Sequence, residues 1–464
     1  MNNKIETDIL LIGAGIMSTT LASLIVKFGT RNNRIMISER LCESGLESSN
    51  TLNNAGTGHA GYCELNYSPL KDGKIDITRA IKVNKAFKKS LRFWDLLIKD
   101  SNISNDFKTK IPHISFVTGN EDISFLKQRY ETLNNDKHFK GTIEFSDNPE
   151  VIKQWIPLIM ENRENTLVAA TKVNDGYEVD FGKLSRNLSR YLEINKVKIN
   201  YYEEVIDIYK EGIKWHVVQR NVITGYETTI VTKYLFIGAG GASIDLLTKT
   251  DIPEIKGYIG FPISGEWLIC KNQEIVKQHE GKVYGKTNAS NPPMTAPHLD
   301  TRVISGKRCL LFGPYAIGTT KLLKHGSWTG FFKGVHFSNL KNFIIAGLKN
   351  SLLIKYLLKE VFKNKKDKFN DLLKFYPNAN INDWELITAG QRVQTIKNKN
   401  GKTVIEFDTE LLISKDSTIA GLLGASPGAS TSVDIMLDLL DKSFGGEQIK
   451  LPKKNKKNGD KKMG

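Results

Sequence analysis

Residues 9–25, ILLIGAGIMSTTLASLI, run from an apolar strand through a glycine turn into a helix, which restricts the chain to a small group of folds. Ile9–Ile12 read as a buried parallel strand, Gly13, Ala14 and Gly15 as the turn, and Met17–Val26 as helix by spacing. Gly13 lets the chain turn tightly, and Gly15 lets backbone approach a pyrophosphate facing the free N–H groups of the helix. A second apolar strand, Arg34–Ser38, ends in Glu39, placed to accept hydrogen bonds from a ribose hydroxyl. The third glycine of the usual dinucleotide fingerprint is Ser18, small enough for close helix–strand packing. The strand, the helix and Glu39 in register together predict a bound dinucleotide.

Composition bounds the rest. A chain of 464 residues, 40% hydrophobic with six tryptophans, suits two intimately packed domains. No run of eighteen apolar residues occurs, so no membrane-spanning helix is expected, and the N-terminus does not read as a secretory signal. Cys42, Cys63, Cys270 and Cys309 show neither CxxC spacing nor clustering, which points to a reduced cytosolic setting without a metal site. The net charge of +16 is assigned mainly to a Lys-, Asn- and Ile-rich composition. Part of it is local: LPKKNKKNGDKKMG carries six lysines and one aspartate and is expected to be a disordered tail at 446–464. Attraction to an anionic membrane surface is a secondary contributor. Nucleic acid comes third, because no basic motif is interleaved with aromatics.

Along the chain, Ile81–Leu97 has helical spacing, as does Gly182–Leu192, and strands are expected at Val197–Tyr209 and Lys214–Val218. A second strand–glycine–helix element spans Tyr234–Leu247. No acidic strand end follows it, so it reads as a return of the chain to the first cofactor, with Gly238–Gly241 packed close, rather than as a separate nicotinamide site. Residues 255–335 are rich in glycine, proline and aromatics, as in loops and strands framing a pocket. The stretch 340–362 is read as a packing helix in preference to one lying on a membrane. STIAGLLG then predicts a strand, and ASPGASTSVDIMLDLL a turn opening a helix. Gly428, Ala429 and Ser430 there would set a helix N-terminus against the pyrimidine edge of a flavin.

Seven blocks, SSNTLNNAGTGHAGYCELNYSP, FPISGEWL, GKVYGK, PPMTAPHLDTR, LLFGPYA, ITAGQRVQ and LLGASPGASTSV, occur in an order that resembles the malate:quinone oxidoreductases over nearly the whole chain. GIMS, with Ser18 in the third position, resembles that family too. The resemblance implies an FAD enzyme that oxidises malate to oxaloacetate and passes electrons to a membrane quinone. It further implies peripheral attachment to the inner face of a bacterial cytoplasmic membrane and a role in the tricarboxylic acid cycle, with no NAD(P) and no nucleic acid. The fold implied is α/β, with α+β character in the second domain: a Rossmann-type FAD domain interleaved with an antiparallel-sheet substrate domain, as in flavin-dependent amino-acid and hydroxy-acid oxidases. The expected division assigns 1–75, 181–250 and 400–445 to the FAD domain and 76–180 and 251–399 to the substrate domain. Residues expected at the cofactor are Gly13, Gly15, Met17, Ser18, Glu39 and Arg40, then Ser49, Asn53, Asn54, Gly56 and Thr57, and finally Gly240, Gly424, Gly428, Ala429 and Ser430.

Alcohol oxidation by flavin requires removal of the hydroxyl proton as hydride leaves carbon, a task suited to histidine. His298 and His59 are the candidates in distinctive blocks; His298 is favoured because Arg302 is near it, with His59 closer to the cofactor. A dicarboxylate needs two cationic clamps, for which Arg302 and Arg392 are chosen, Lys321 being a weaker third. Tyr67 and Thr301 are further hydroxyls that would orient substrate. The competing reading is a quinone-linked dehydrogenase of another 2-hydroxy acid, 2-hydroxyglutarate or lactate.

Overall fold

The protein is described by a computed structural model that covers residues 3–29, 32–287, 296–329, 360, 363–399, 402–406, 409–424 and 428–445. The expected helix at 340–362 (apart from Glu360) and the basic tail at 446–464 lie outside the described residues.

Two sheets organise the described chain. In the first, of eight strands, Asn3–Ile12 lies between Ile35–Ser38 and Glu227–Ile237, parallel to both. Lys198–Asn200 extends the parallel array on one side and Ile419–Leu423 on the other. The hairpin Glu203–Glu211/Lys214–Asn221 adds antiparallel strands. The unbroken apolar run ILLI follows from this central position. Ile9 and Leu11 join one core with helices Ile16–Phe28, Thr78–Lys99, Phe181–Ile194 and Ser432–Phe444. Leu10 and Ile12 join the opposite core with Trp215, Leu235 and Ile244. A strand buried on both faces has no polar alternation to show. Each such side chain contributes about 1.5–3 kcal/mol through burial.

Helix Ile16–Phe28 follows the glycine turn directly, with Gly15 as its N-cap and no side chain capping it. Ser18, Thr19, Thr20 and Ser23 are all buried in it. Their small volume lets Phe181–Ile194 and Ser432–Phe444 approach closely, and Thr20 meets Ser432 hydroxyl to hydroxyl at 3.4 Å.

The second sheet has nine strands, all antiparallel neighbours except the parallel pair Lys282–Tyr284 and His113–Thr118. Ile259–Cys270 and Trp384–Lys399 form its longest pairing. Two further segments are assigned to a sheet by their packing. Helix Thr78–Lys99 buries Phe87, Phe93, Trp94 and Leu97 in the core of the first sheet, because its apolar stripe meets Ser432–Phe444. Strand Lys402–Glu406 is the edge of the second sheet, since it forms a hairpin with Trp384–Lys399.

Candidate active site

A deep cavity opens where the parallel strands of the first sheet end. Gly13, at φ +86°, donates its N–H to the Ser38 carbonyl at 2.8 Å. A Cβ on Gly13 would fall 2.8 Å from the carbonyl oxygen of Gly238, so the two strand–glycine elements meet back to back. Tyr234–Leu247 therefore returns to the same cavity: Gly238, Ala239, Gly240 and Gly241 line it together with Gly13, Gly15 and Met17. Glu39 also lines it, accepting from Ala14 N–H at 2.7 Å and Leu41 N–H at 2.9 Å. Burial pushes its carboxyl upward against the pull of those N–H groups and Arg40. Arg40 reaches the His325 carbonyl and Glu47.

The block SSNTLNNAGT forms the adjoining wall. Asn54 explains its asparagine content: its amide nitrogen donates to the carbonyls of Ser48, Ser49 and Asn50, and its oxygen accepts from Gly56 N–H. Asn53 donates to the Glu47 carbonyl and accepts from Lys324. Ser49 accepts from Ile16 N–H at 3.0 Å, tying this wall to the glycine turn. Thr57 meets the Tyr284 hydroxyl at 2.8 Å. Ser430 donates to the Thr57 carbonyl at 2.8 Å and accepts from His59 N–H at 3.1 Å, so the turn Gly428–Ser430 closes the same wall. Gly424, at φ +83°, lines it as well.

A dinucleotide fits these residues. Helix Ile16–Phe28 has no acidic residue in its first turn, leaving its positive end to an anion. Buried Gln391 Oε1, on the cavity wall, has no partner among the described residues and offers an acceptor to a ring N–H.

The histidines and arginines separate into two environments. His59 lines the cavity and is 17% exposed, its Nδ1 hydrogen-bonded to Glu64. Glu64 is buried; burial alone would raise its carboxyl, but the charge and hydrogen bond of His59 outweigh it and hold the group below its ordinary range. Arg392 lines the cavity half-buried and forms no ion pair among the described residues. Burial lowers its pKa, and the nearby phenols of Tyr284 and Tyr67 oppose that shift. His298 lies behind Tyr284, stacked on that ring at 4.2 Å between centroids, with Nδ1 2.9 Å from Asp300. Asp300 is pulled to about 2: burial opposes ionisation, but His298, Lys282 and Arg302 prevail. Arg302 is fully buried, its nitrogens donating to Glu178 at 2.6 Å and to the carbonyls of Asn54 and Thr51.

A family model described as malate:quinone oxidoreductase (Mqo) matches residues 5–460. The chain belongs to the malate:quinone oxidoreductase family. It is 47% identical over 451 residues to a probable malate:quinone oxidoreductase of Flavobacterium psychrophilum, covering 96% of this chain and 90% of the relative. A Bacillus thuringiensis protein of the same description is 46% identical over 456 residues, covering 97% and 91%. Among solved structures, the dithionite-reduced L-alpha-glycerophosphate oxidase of Mycoplasma pneumoniae with FAD bound superposes with a TM-score of 0.62 at 18% identity, over 97% of each chain. Glycine oxidase of Geobacillus kaustophilus gives 0.61 at 15% identity over 94% of each. The fold is that of FAD-dependent oxidases.

Within this malate:quinone oxidoreductase family member, six expected site residues do not line the cavity: Ser18, Tyr67, His298, Thr301, Arg302 and Lys321. Ser18 is fully buried beneath it, where a Cβ on Gly238 would come within 2.3 Å of its Oγ; its smallness serves strand–helix approach. His298 is turned to Asp300, and Arg302 is committed to Glu178 and loop carbonyls, so neither faces the space that Arg392 and His59 share. The reason is strand periodicity. His298, Asp300 and Arg302 alternate along one strand and point to one face, where Lys282 and Glu178 meet them. Thr301 accepts from Gly281 N–H and donates to the His279 carbonyl, and Lys321 sits over the Trp328 ring at 4.5 Å. Glu64, Tyr284, Gln391, Lys282 and Glu178 were not singled out by sequence reasoning. Only Glu64, five residues after His59, carried a local signal.

Proposed function

We propose that this chain oxidises malate to oxaloacetate with FAD and delivers the electrons to a quinone. Family membership over residues 5–460 supports the reaction, and one observation supports the chemistry: the glycine-lined cavity also presents a histidine backed by a buried carboxylate, and an arginine without an ion-pair partner among the described residues. Bound FAD supplies the two-electron acceptor. Gly13, Gly15, Glu39, Ser49, Asn53, Asn54, Gly56, Thr57, Gly240, Gly424, Gly428, Ala429 and Ser430 would hold it, with Met17 and Arg40 at its margins.

His59 is the base. Glu64 accepts from Nδ1–H and fixes the tautomer, so Nε2 presents the lone pair that takes the hydroxyl proton. The carboxylate stabilises the imidazolium that results. Arg392 holds one substrate carboxylate in a bidentate grip, with Tyr67 and Tyr284 beside it. With Arg302 committed elsewhere, Arg392 is the single arginine assigned to substrate, which gives weight to a competing reading, a 2-hydroxy acid with one carboxylate such as lactate.

Among the described residues no helix is long and apolar enough to cross a membrane. Peripheral contact with the inner face of the cytoplasmic membrane and a place in the tricarboxylic acid cycle belong to this proposal, as does the division into a cofactor domain and a substrate domain. Anaerobic mixing of the purified protein with malate, lactate or 2-hydroxyglutarate tests it. Bleaching of the flavin absorbance by malate alone, reversed by a quinone analogue, is expected. Preferential bleaching by lactate would move the assignment to the competing substrate, and absence of a flavin spectrum would overturn it.

A further inference from the structure

Behind the cavity wall lies a cluster of four charged side chains, each no more than 3% exposed. Lys282 Nζ pairs with Glu178 at 2.7 Å and with Asp300 at 3.3 Å, and Glu178 also receives Arg302 Nε at 2.6 Å. Two cations face two carboxylates one for one, and the His298 imidazole joins them at Asp300. Such a cluster is poor evidence for stability, because well-packed apolar residues of equal volume often serve as well or better. What apolar residues could not do is bind carbonyl oxygens. Lys282 donates to the Ala55 carbonyl at 2.8 Å, and Arg302 donates to those of Asn54 and Thr51. Gly56 lies directly over the guanidinium, where a Cβ would come within 2.6 Å of it.

Asn53–Thr57 line the cavity, whereas Lys282 and Arg302 do not. The two cations therefore reach the cavity only through this segment. A trans peptide points its C=O and N–H in opposite directions. Turning the Asn54 carbonyl into the cluster turns the Ala55 N–H away from it, and that N–H has no backbone or side-chain acceptor among the described residues.

We propose that Lys282 and Arg302 are positioning residues that preset the Thr51–Thr57 segment for the flavin, aiming the Ala55 N–H into the cofactor cavity. This rests on the FAD reading given above. Neither residue touches substrate. Glu178 and Asp300 hold the two cations in register, and the fixed peptide planes spare the cofactor the cost of ordering the loop on binding.

The test uses purified holoenzyme and follows FAD dissociation on dilution and the midpoint potential of the bound flavin, with steady-state malate kinetics alongside. Arg302→Lys keeps the charge but cannot span Glu178 and both carbonyls. Lys282→Met unbalances the cluster, and Lys282→Met with Glu178→Gln restores the one-for-one match. Arg302→Lys is expected to weaken FAD binding about tenfold or more, the scale of one lost charge-assisted hydrogen bond, and to move the flavin potential while the KM for malate stays within about twofold. The double variant is expected to regain the thermal stability lost by Lys282→Met without regaining FAD affinity. Wild-type FAD affinity and potential in Arg302→Lys or in the double variant would overturn the proposal, as would a raised KM for malate at unchanged FAD affinity. If the wild-type protein itself held no FAD, the functional reading would fail instead.

Discussion

His59 and Glu64 are bonded to each other through Nδ1 and a carboxylate oxygen across one tight turn, with the histidine at the cavity and the glutamate buried behind it. The pair is built locally, so its disruption should leave the cofactor in place. His59→Ala is expected to lower kcat by roughly 10²-fold or more at little change in KM, and Glu64→Gln to act in the same direction. Stopped-flow flavin reduction by malate checks both. Unchanged reduction rates would remove His59 as base and return attention to His298.

Arg392→Lys should raise the KM for malate by roughly 10–100-fold while FAD content stays at wild type, because a point charge replaces a bidentate grip. Arg302→Lys should show the reverse pattern. Steady-state kinetics beside flavin absorbance per mole of protein separate the two arginines.

Ser18 Oγ is buried without a hydrogen-bond partner among the described residues and packs against Gly238. Ser18→Ala is therefore expected to be neutral or stabilising. Gly238→Ala should cost about 1–3 kcal/mol through overpacking, and the pair of substitutions should cost less than Gly238→Ala alone. Thermal unfolding of the three variants measures the coupling.

His113 and His279 are fully buried, and burial pushes each down to about 4. Their ordinary value is about 6.5, so between these limits the unfolded chain binds protons that the folded one refuses. The stability they confer is complete above about pH 6.5 and falls as pH drops towards 4, by up to about 3 kcal/mol for each imidazole. Urea unfolding at pH 7 and pH 5 should show the loss, and His279→Gln should flatten the slope.

The legible parts of this fold were those with a local period or a local turn. ILLI followed by GAG identifies a doubly buried strand and a cofactor turn because both causes lie within eight residues, and YLFIGAGG reads in the same way. The charges behind the wall were not legible. Glu178, Lys282 and Arg302 lie on three strands, and the register that brings Lys282 opposite Asp300 is set by the whole sheet. An arginine two residues from an aspartate in HLDTR looks equally suited to substrate or to an ion pair. Only the third dimension showed Glu178 beside it, 124 positions away. The choice between His59 and His298 turned on similar grounds, since both have carboxylates close in sequence and only one borders the cavity.

Ser430 bonds to Thr57 and His59 across 373 and 371 positions. A ribosome completes the glycine turn, the asparagine-rich loop and the proposed base early, yet the wall they belong to stays open until the segment carrying Ser430 has been made and has left the exit tunnel. A chain cut anywhere between His59 and Gly428 would therefore carry the glycine turn and the asparagine-rich loop of a flavin site without the segment that completes their wall.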